Sequence, residues 1–168
     1  MTTSAEALKV TPNWRFLLRH PAHLLAFGFG SGLMRKAPGT WGTLVAFPLF
    51  FPLHALGVGG WALMALCVPL FIIGVYVCEV TGKALGVHDY GGIVWDEVVG
   101  MLMVLAFAPA SWAGCLVAFA LFRLFDIVKP WPIRWFDARV GGGFGVMVDD
   151  VIAAVFALAV QYLIWDTF

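Results

Sequence analysis

Charged side chains leave long stretches of this chain untouched. Between Lys36 and Glu79 there is no Lys, Arg, Asp or Glu, and "GVGG" at residues 57–60 divides the apolar run inside that interval. Glycine supplies the backbone freedom that a tight reversal needs, so "LVAFPLFFPLHAL" and "WALMALCVPLFIIGVYVC" read as the two arms of a helical hairpin. A second uncharged interval, Val98 to Phe122, is interrupted by "APASWAG" at residues 108–114. A third, Val151 to Trp165, predicts a shorter Ala- and Val-rich helix.

A perpendicular bilayer crossing takes about 20 apolar residues, and the range begins near about 17. Trp61 to Cys78 meets that comfortably; Val98 to Phe122 is long enough to cross once, or it can fold back at Pro109. Charge separates these two. With the 57–60 and 109–114 turns both on the far side, all the Lys and Arg residues fall on one side, the cytoplasmic one by the positive-inside rule. A single crossing would instead export Arg123, Lys129, Arg134 and Arg139. The fold-back is the expectation, with arms of about eleven residues that reach only about 16 Å and must be re-entrant or shielded by other helices.

Composition agrees with that picture. Hydrophobic residues make up 62% of the 168 residues and charged ones 12%, against roughly 45–50% and about 25% in an ordinary soluble domain. The expected object is one all-α domain over residues 1–168: a compact membrane-embedded bundle of helical hairpins with a polar cytoplasmic face, residues 1–25 forming a polar, interfacial N-terminal segment. That segment has no continuous apolar stretch closing on a cleavage site, so it is expected to stay in the cytoplasm. A net charge of zero excludes the dense basic footprint of a nucleic-acid binder. Cys67, Cys78 and Cys115 sit in apolar stretches without paired spacing, as buried thiols do, and not as a disulfide framework or zinc site.

Most of the charge is gathered into residues 79–97 and 123–150, which the fold-back topology puts on one face. Each segment closes on an acidic pair followed by an apolar helix: Asp96 with Glu97, and Asp149 with Asp150. A single acid there can cap a helix or favour its dipole. A second one beside it, near a low-dielectric medium, adds repulsion that a hard divalent cation such as Mg²⁺ would remove, and the donor set is carboxylate-rich without clustered His or Cys. Arg123, Asp126 and Lys129 stand three residues apart on a helix that Pro130 ends. They read either as an intrahelical salt-bridge ladder or as a further metal ligand flanked by two phosphate-binding cations.

"GGGFG" at residues 141–145 reads as a loop before a helix, where it is either a flexible turn or an anion cradle through the N–H groups of Gly142 and Gly143. "SGLMRKAPGTWGT" reads as a basic interfacial loop ahead of the first apolar helix, with Ser31, Arg35, Lys36, Thr40 and Thr43 in it. His88 beside Asp89 could form an acid/base pair, while His20, His23 and His54 take no assignment.

Four segments together, "GSGLMRKAPGTWGTLVAFPL", "GVHDYGGIVWDEVVG", "FRLFDIVKPWPIRWFD" and "GGGFGVMVDDVIA", give the chain a pattern that resembles the phosphatidylglycerophosphatase A family of bacterial membrane lipid phosphatases. They run in order from Gly30 to Ala153. The resemblance implies an all-helical bundle that hydrolyses phosphatidylglycerophosphate to phosphatidylglycerol and phosphate with Mg²⁺, multi-pass in the inner membrane with its active site on the cytoplasmic side. On that reading Asp96, Glu97, Asp126, Asp149 and Asp150 hold one or two Mg²⁺ ions, and Arg123, Lys129 and Arg139, with Gly142 and Gly143, bind the substrate phosphate.

The chain has no Cys-x₅-Arg, Asp-x-Asp or Ser-Gly-His segment, which leaves cysteinyl-phosphate and His-dependent routes unsupported. An aspartyl-phosphate at Asp126 or Asp149 stays open beside direct water attack. Two other classes are weighed against this one. A small transporter would string ionisable groups along a path through the bilayer, not at segment ends on one face. A lipid phosphotransferase would also cluster Asp around Mg²⁺, but the Asp-Gly pair expected before "AR" in "DARVGGG" is missing.

Overall fold

In the computed structural model, which describes residues 10–87 and 89–167, every regular element is helical. Two short helices, α1 (Trp14–Leu17) and α2 (Pro21–Ala26), precede a 3₁₀ segment over Gly28–Leu33. Six further helices follow: α3 (Pro38–Ala55), α4 (Gly60–Leu85), α5 (Trp95–Leu105), α6 (Trp112–Val128), α7 (Ile133–Arg139) and α8 (Gly142–Thr167). The all-α class is as expected, and so are both hairpins. Gly57 and Gly60 carry the positive φ of the first turn, and the second opens α6 with Ser111, whose side chain accepts from the Gly114 N–H.

Antiparallel succession brings the starts of α3, α5 and α8 to the same end as the ends of α4 and α6. At the opposite end the Gly60 N–H donates to the Ala106 carbonyl, and Trp61 meets the Phe107 ring edge to face at 5.0 Å. Helix α8 is the central strut and packs against α4, α5, α6 and α7. Its Ala153, Ala154 and Ala157 are fully buried, and the small side chains let neighbouring backbones come close. Gly100 on α5 marks the tightest crossing: a Cβ there would meet the Phe122 ring at 2.7 Å and the Asp150 carbonyl oxygen at 3.3 Å.

Helices α4 and α8 are long and apolar enough to cross a membrane. Along α4, Val68, Ile72 and Tyr76 recur every fourth residue and are all exposed, an apolar stripe that no described residue covers. Helix α5, at 11 residues, is too short to cross.

Four expectations about local structure need correction. The second hairpin is asymmetric, because α6 has 17 residues where about eleven were expected from the turn position. The last helix does not start at Val151 but runs for 26 residues from Gly142, so all of "GGGFG" but Gly141 is its first turn and no loop. Glycine disfavours a helix interior by about 1 kcal/mol, yet contact overrides that here: a Cβ on Gly143 would lie 2.0 Å from the Val75 carbonyl oxygen of α4. Residues 31–43 are likewise no single loop, since Ser31 belongs to the 3₁₀ segment and Thr40 and Thr43 to α3. Part of the expected N-terminal segment, residues 1–9, lies outside the described residues, as does His88 of the expected His88–Asp89 pair.

Candidate active site

The first turn of α5 carries Asp96 and Glu97, where carboxylates complement the helix dipole. Asp149 and Asp150 stand two turns inside α8, so neither caps that helix, and both are buried. The bundle therefore holds acids that no helix terminus accounts for. One carboxylate oxygen each from Asp96, Glu97 and Asp150 lie within 4.8 Å of one another. Asp126 and Asp149 line the same cleft, about 280 Å³ in volume, together with Lys129, Asp137 and Gly142.

Cations hold Asp126, Asp137 and Asp149 closely and approach the inner acids only distantly, at Glu97. Arg123 donates to Asp126 through Nη1, reaches the Thr43 hydroxyl at 3.4 Å, and stands 3.9 Å from Glu97. Lys129 bridges Asp137 at 2.7 Å and Asp149 at 2.6 Å. Asp96 Oδ1, Glu97 Oε2, Asp149 Oδ1 and Asp150 Oδ2 are buried without a hydrogen-bond partner among the described residues. Orphaned carboxylate oxygens of this kind cost free energy unless a proton or cation meets them.

Titration behaviour follows from that crowding. Burial, then the Glu97 charge, pushes the Asp96 carboxyl well above its usual range. Burial raises Glu97 to about 8, with Asp150 and Asp126 adding to the rise and Asp96 and Arg123 opposing it. Burial works against the Lys129 ammonium, but its hydrogen bonds to Asp137 and Asp149 hold it above the ordinary lysine value, so it stays charged.

Two expected site residues lie elsewhere. Arg139 is exposed on α7 with its guanidinium 4.9 Å from the Trp135 ring centroid, outside the acidic cleft. The Gly143 N–H is engaged by Glu79 Oε2 at 2.7 Å. Asp137 was missed by sequence reasoning: one acid on a short amphipathic helix reads as a solvated face until Lys129 is seen beside it. Gly39 was also missed. A Cβ there would meet Glu97 Oε1 at 2.2 Å, so the start of α3 closes directly over the acids, and "APGT" is the signal that held it. The unassigned histidines pack locally: His20 accepts from the Ala22 N–H at the start of α2, and His23 stacks on Phe16 with Nδ1 3.0 Å from the Thr81 hydroxyl. The three cysteines are free and buried, as expected.

No solved structure matches the chain significantly. Sequence comparison is more telling. A family model described as Phosphatidylglycerophosphatase A matches residues 24–165. A Phosphatidylglycerophosphatase A of Haemophilus influenzae is 51% identical over 156 residues, which is 91% of this chain and 94% of the relative. Its namesake in Escherichia coli is 47% identical over 152 residues, 89% of this chain and 87% of the relative. A protein of Bacteroides thetaiotaomicron, provisionally named a phosphatidylinositol-3-phosphatase, is 38% identical over 140 residues, 80% of this chain and 87% of its own length. The matched stretch holds both acidic pairs and the Arg123–Lys129 helix end, so the chain belongs to the phosphatidylglycerophosphatase A family and is a phosphatase.

Proposed function

We propose that this protein hydrolyses the phosphomonoester of phosphatidylglycerophosphate, releasing phosphatidylglycerol and inorganic phosphate, and that it does so with Mg²⁺ at the cytoplasmic face of the inner membrane as a multi-pass protein. The observation that carries the reading is the meeting of Asp96, Glu97 and Asp150 within 4.8 Å, with unpartnered buried oxygens on all three. Hard oxygen donors without His or Cys suit Mg²⁺, so the donor set fits the ion. The relatives' names supply the substrate. The basic residues Lys83, Arg123, Lys129 and Arg134 sit at the cleft end of the bundle, which supports a cytoplasmic placement.

In this mechanism Asp96, Glu97 and Asp150 would hold the ion, and Asp126 and Asp149 line the same cleft. When bound, Mg²⁺ offsets the repulsion among the acids and supplies Lewis acidity toward the phosphoryl oxygens. Lys129 remains an ammonium and orients the phosphoryl group by charge; it does not act as a base. Arg123 is fixed by Thr43 and Asp126 and presents the remaining positive charge to that group. Asp149, with Oδ2 on Lys129 and Oδ1 without a partner, can take the proton of the attacking water. The diacylglycerol stays in the bilayer alongside the exposed stripe of α4.

The test is phosphate release by the purified protein from phosphatidylglycerophosphate in neutral detergent micelles. We expect release that stops in EDTA and returns with added Mg²⁺. Release unaffected by EDTA rejects the ion, and no release at all rejects the reaction.

A further inference from the structure

A second groove lies round the corner from the cleft, where α6 gives way to α7. Lys129, Trp131, Arg134, Trp135, Ala138 and Arg139 line it, and it measures about 550 Å³. Among the described residues no acid lines this groove, in contrast with the cleft next door. Neither Arg134 nor Arg139 makes an ion pair among the described residues, although α7 carries Asp137 between them. Asp137 is turned instead toward Lys129. Trp131 is 79% exposed and Trp135 43%, and the Arg139 guanidinium lies over the Trp135 ring. Two unpaired guanidiniums between exposed indoles form a surface suited to a phosphate at a membrane–water boundary, where Trp favours the interface and Arg donates to two oxygens at once.

Lys129 is common to the groove and the cleft. A ligand with one phosphate in each would pass directly by its ammonium. The proposed substrate is such a ligand: its phosphomonoester and its phosphodiester are separated by a single glycerol. The cations at the acidic cleft, Lys129 and Arg123, are already paired with Asp137, Asp149 and Asp126, so a second anion has to find its positive charge outside it. We infer that the α6–α7 groove binds the phosphodiester of the lipid whose phosphomonoester is hydrolysed in the cleft, through Arg134 and Arg139 with Trp131 and Trp135 beside the glycerol. This rests on the proposed reaction for its substrate, and it makes the groove the place where the enzyme distinguishes a diester-bearing lipid from a simpler lipid phosphate. Arg139 thereby serves a different phosphate from the one its sequence position suggests.

The probe is short-chain phosphatidylglycerol, which has the diester and no monoester, binding to the purified protein in zwitterionic micelles. The wild type should bind it, and Arg134→Gln with Arg139→Gln should weaken binding about tenfold or more, with the KM for phosphatidylglycerophosphate rising in parallel and kcat within about twofold. Inhibition by inorganic phosphate, which reads the cleft alone, should be the same in both proteins. The Arg134→Lys, Arg139→Lys pair keeps the charge and should recover part of the loss; a protein that merely misfolds would recover none. Phosphatidylglycerol binding unchanged by the Gln pair overturns the inference, and so does an equal weakening of inorganic phosphate. A wild type that binds phosphatidylglycerol through these arginines but releases no phosphate would retain the groove and reject the reaction. Turnover with binding indifferent to the arginines does the reverse.

Discussion

Asp150 touches two problems at once, chemistry and stability. One of its carboxylate oxygens lies within 4.8 Å of oxygens from Asp96 and Glu97, and its Oδ2 is buried without a hydrogen-bond partner among the described residues. Asp150→Asn should therefore lower phosphate release by on the order of a hundredfold or more, while in EDTA above about pH 8, where Glu97 is charged as well, the protein melts at a higher temperature than wild type because one of the crowded carboxylates is gone. A lower melting temperature in EDTA would show that the carboxylate is structural. Glu97 adds a pH signature. Its ordinary value is 4.5 and burial raises it to about 8 in the fold, so between those values the folded chain holds a proton that the unfolded chain has released. Stability in EDTA should accordingly fall as pH rises through that window, and Glu97→Gln should flatten the fall. On the proposed reading saturating Mg²⁺ should flatten it too, because the ion would bind the deprotonated acids. Thermal melts at about pH 5 and about pH 8, with and without the ion, read all of these.

Helices were legible to different degrees, and the reasons are physical. The hairpins could be read because glycine and proline punctuate charge-free runs, and the facing of the two acidic segments followed from where positive charge can sit. The start of α8 could not be read: local propensity argues against a helix through Gly142, Gly143 and Gly145, and only the approach of α4 at Val75 and Glu79 reveals why glycine is there. The same limit hid Gly39 over Glu97. The acids that gather at the cleft were legible as residue types, but their pairing was not, since the positions of Arg123 and Lys129 between Asp126, Asp149 and Asp137 depend on tertiary packing. Gly100 gives the element scale its own prediction. Gly100→Ala puts a Cβ at 2.7 Å from the Phe122 ring, between α5 and α6 and next to the Asp150 backbone. It should cost about 1–3 kcal/mol in stability and depress turnover as well, because the α5 acids and Asp150 would separate. A melting temperature and rate both equal to wild type would show that the helices have more room than their spacing indicates.

Over the whole molecule the chemistry gathers at one end and the aromatic turns at the other. Cysteine introduced at Gly57, in the turn after α3, and at Ala138, on α7, should be labelled from opposite sides of sealed vesicles by an impermeant maleimide, and only Ala138→Cys from the cytoplasmic side. The native cysteines are buried and give a low background. Labelling of both from one side would remove the bilayer from between the two ends.

The unpartnered row Val68, Ile72 and Tyr76 on α4 has a kinetic corollary. An enzyme that keeps such a row against acyl chains meets its substrate by lateral diffusion in two dimensions, so the concentration that governs its rate is the mole fraction of substrate in the surface. Diluting the substrate with inert lipid should slow the reaction, whereas diluting the whole suspension with buffer, at fixed surface composition, should leave the rate per enzyme unchanged.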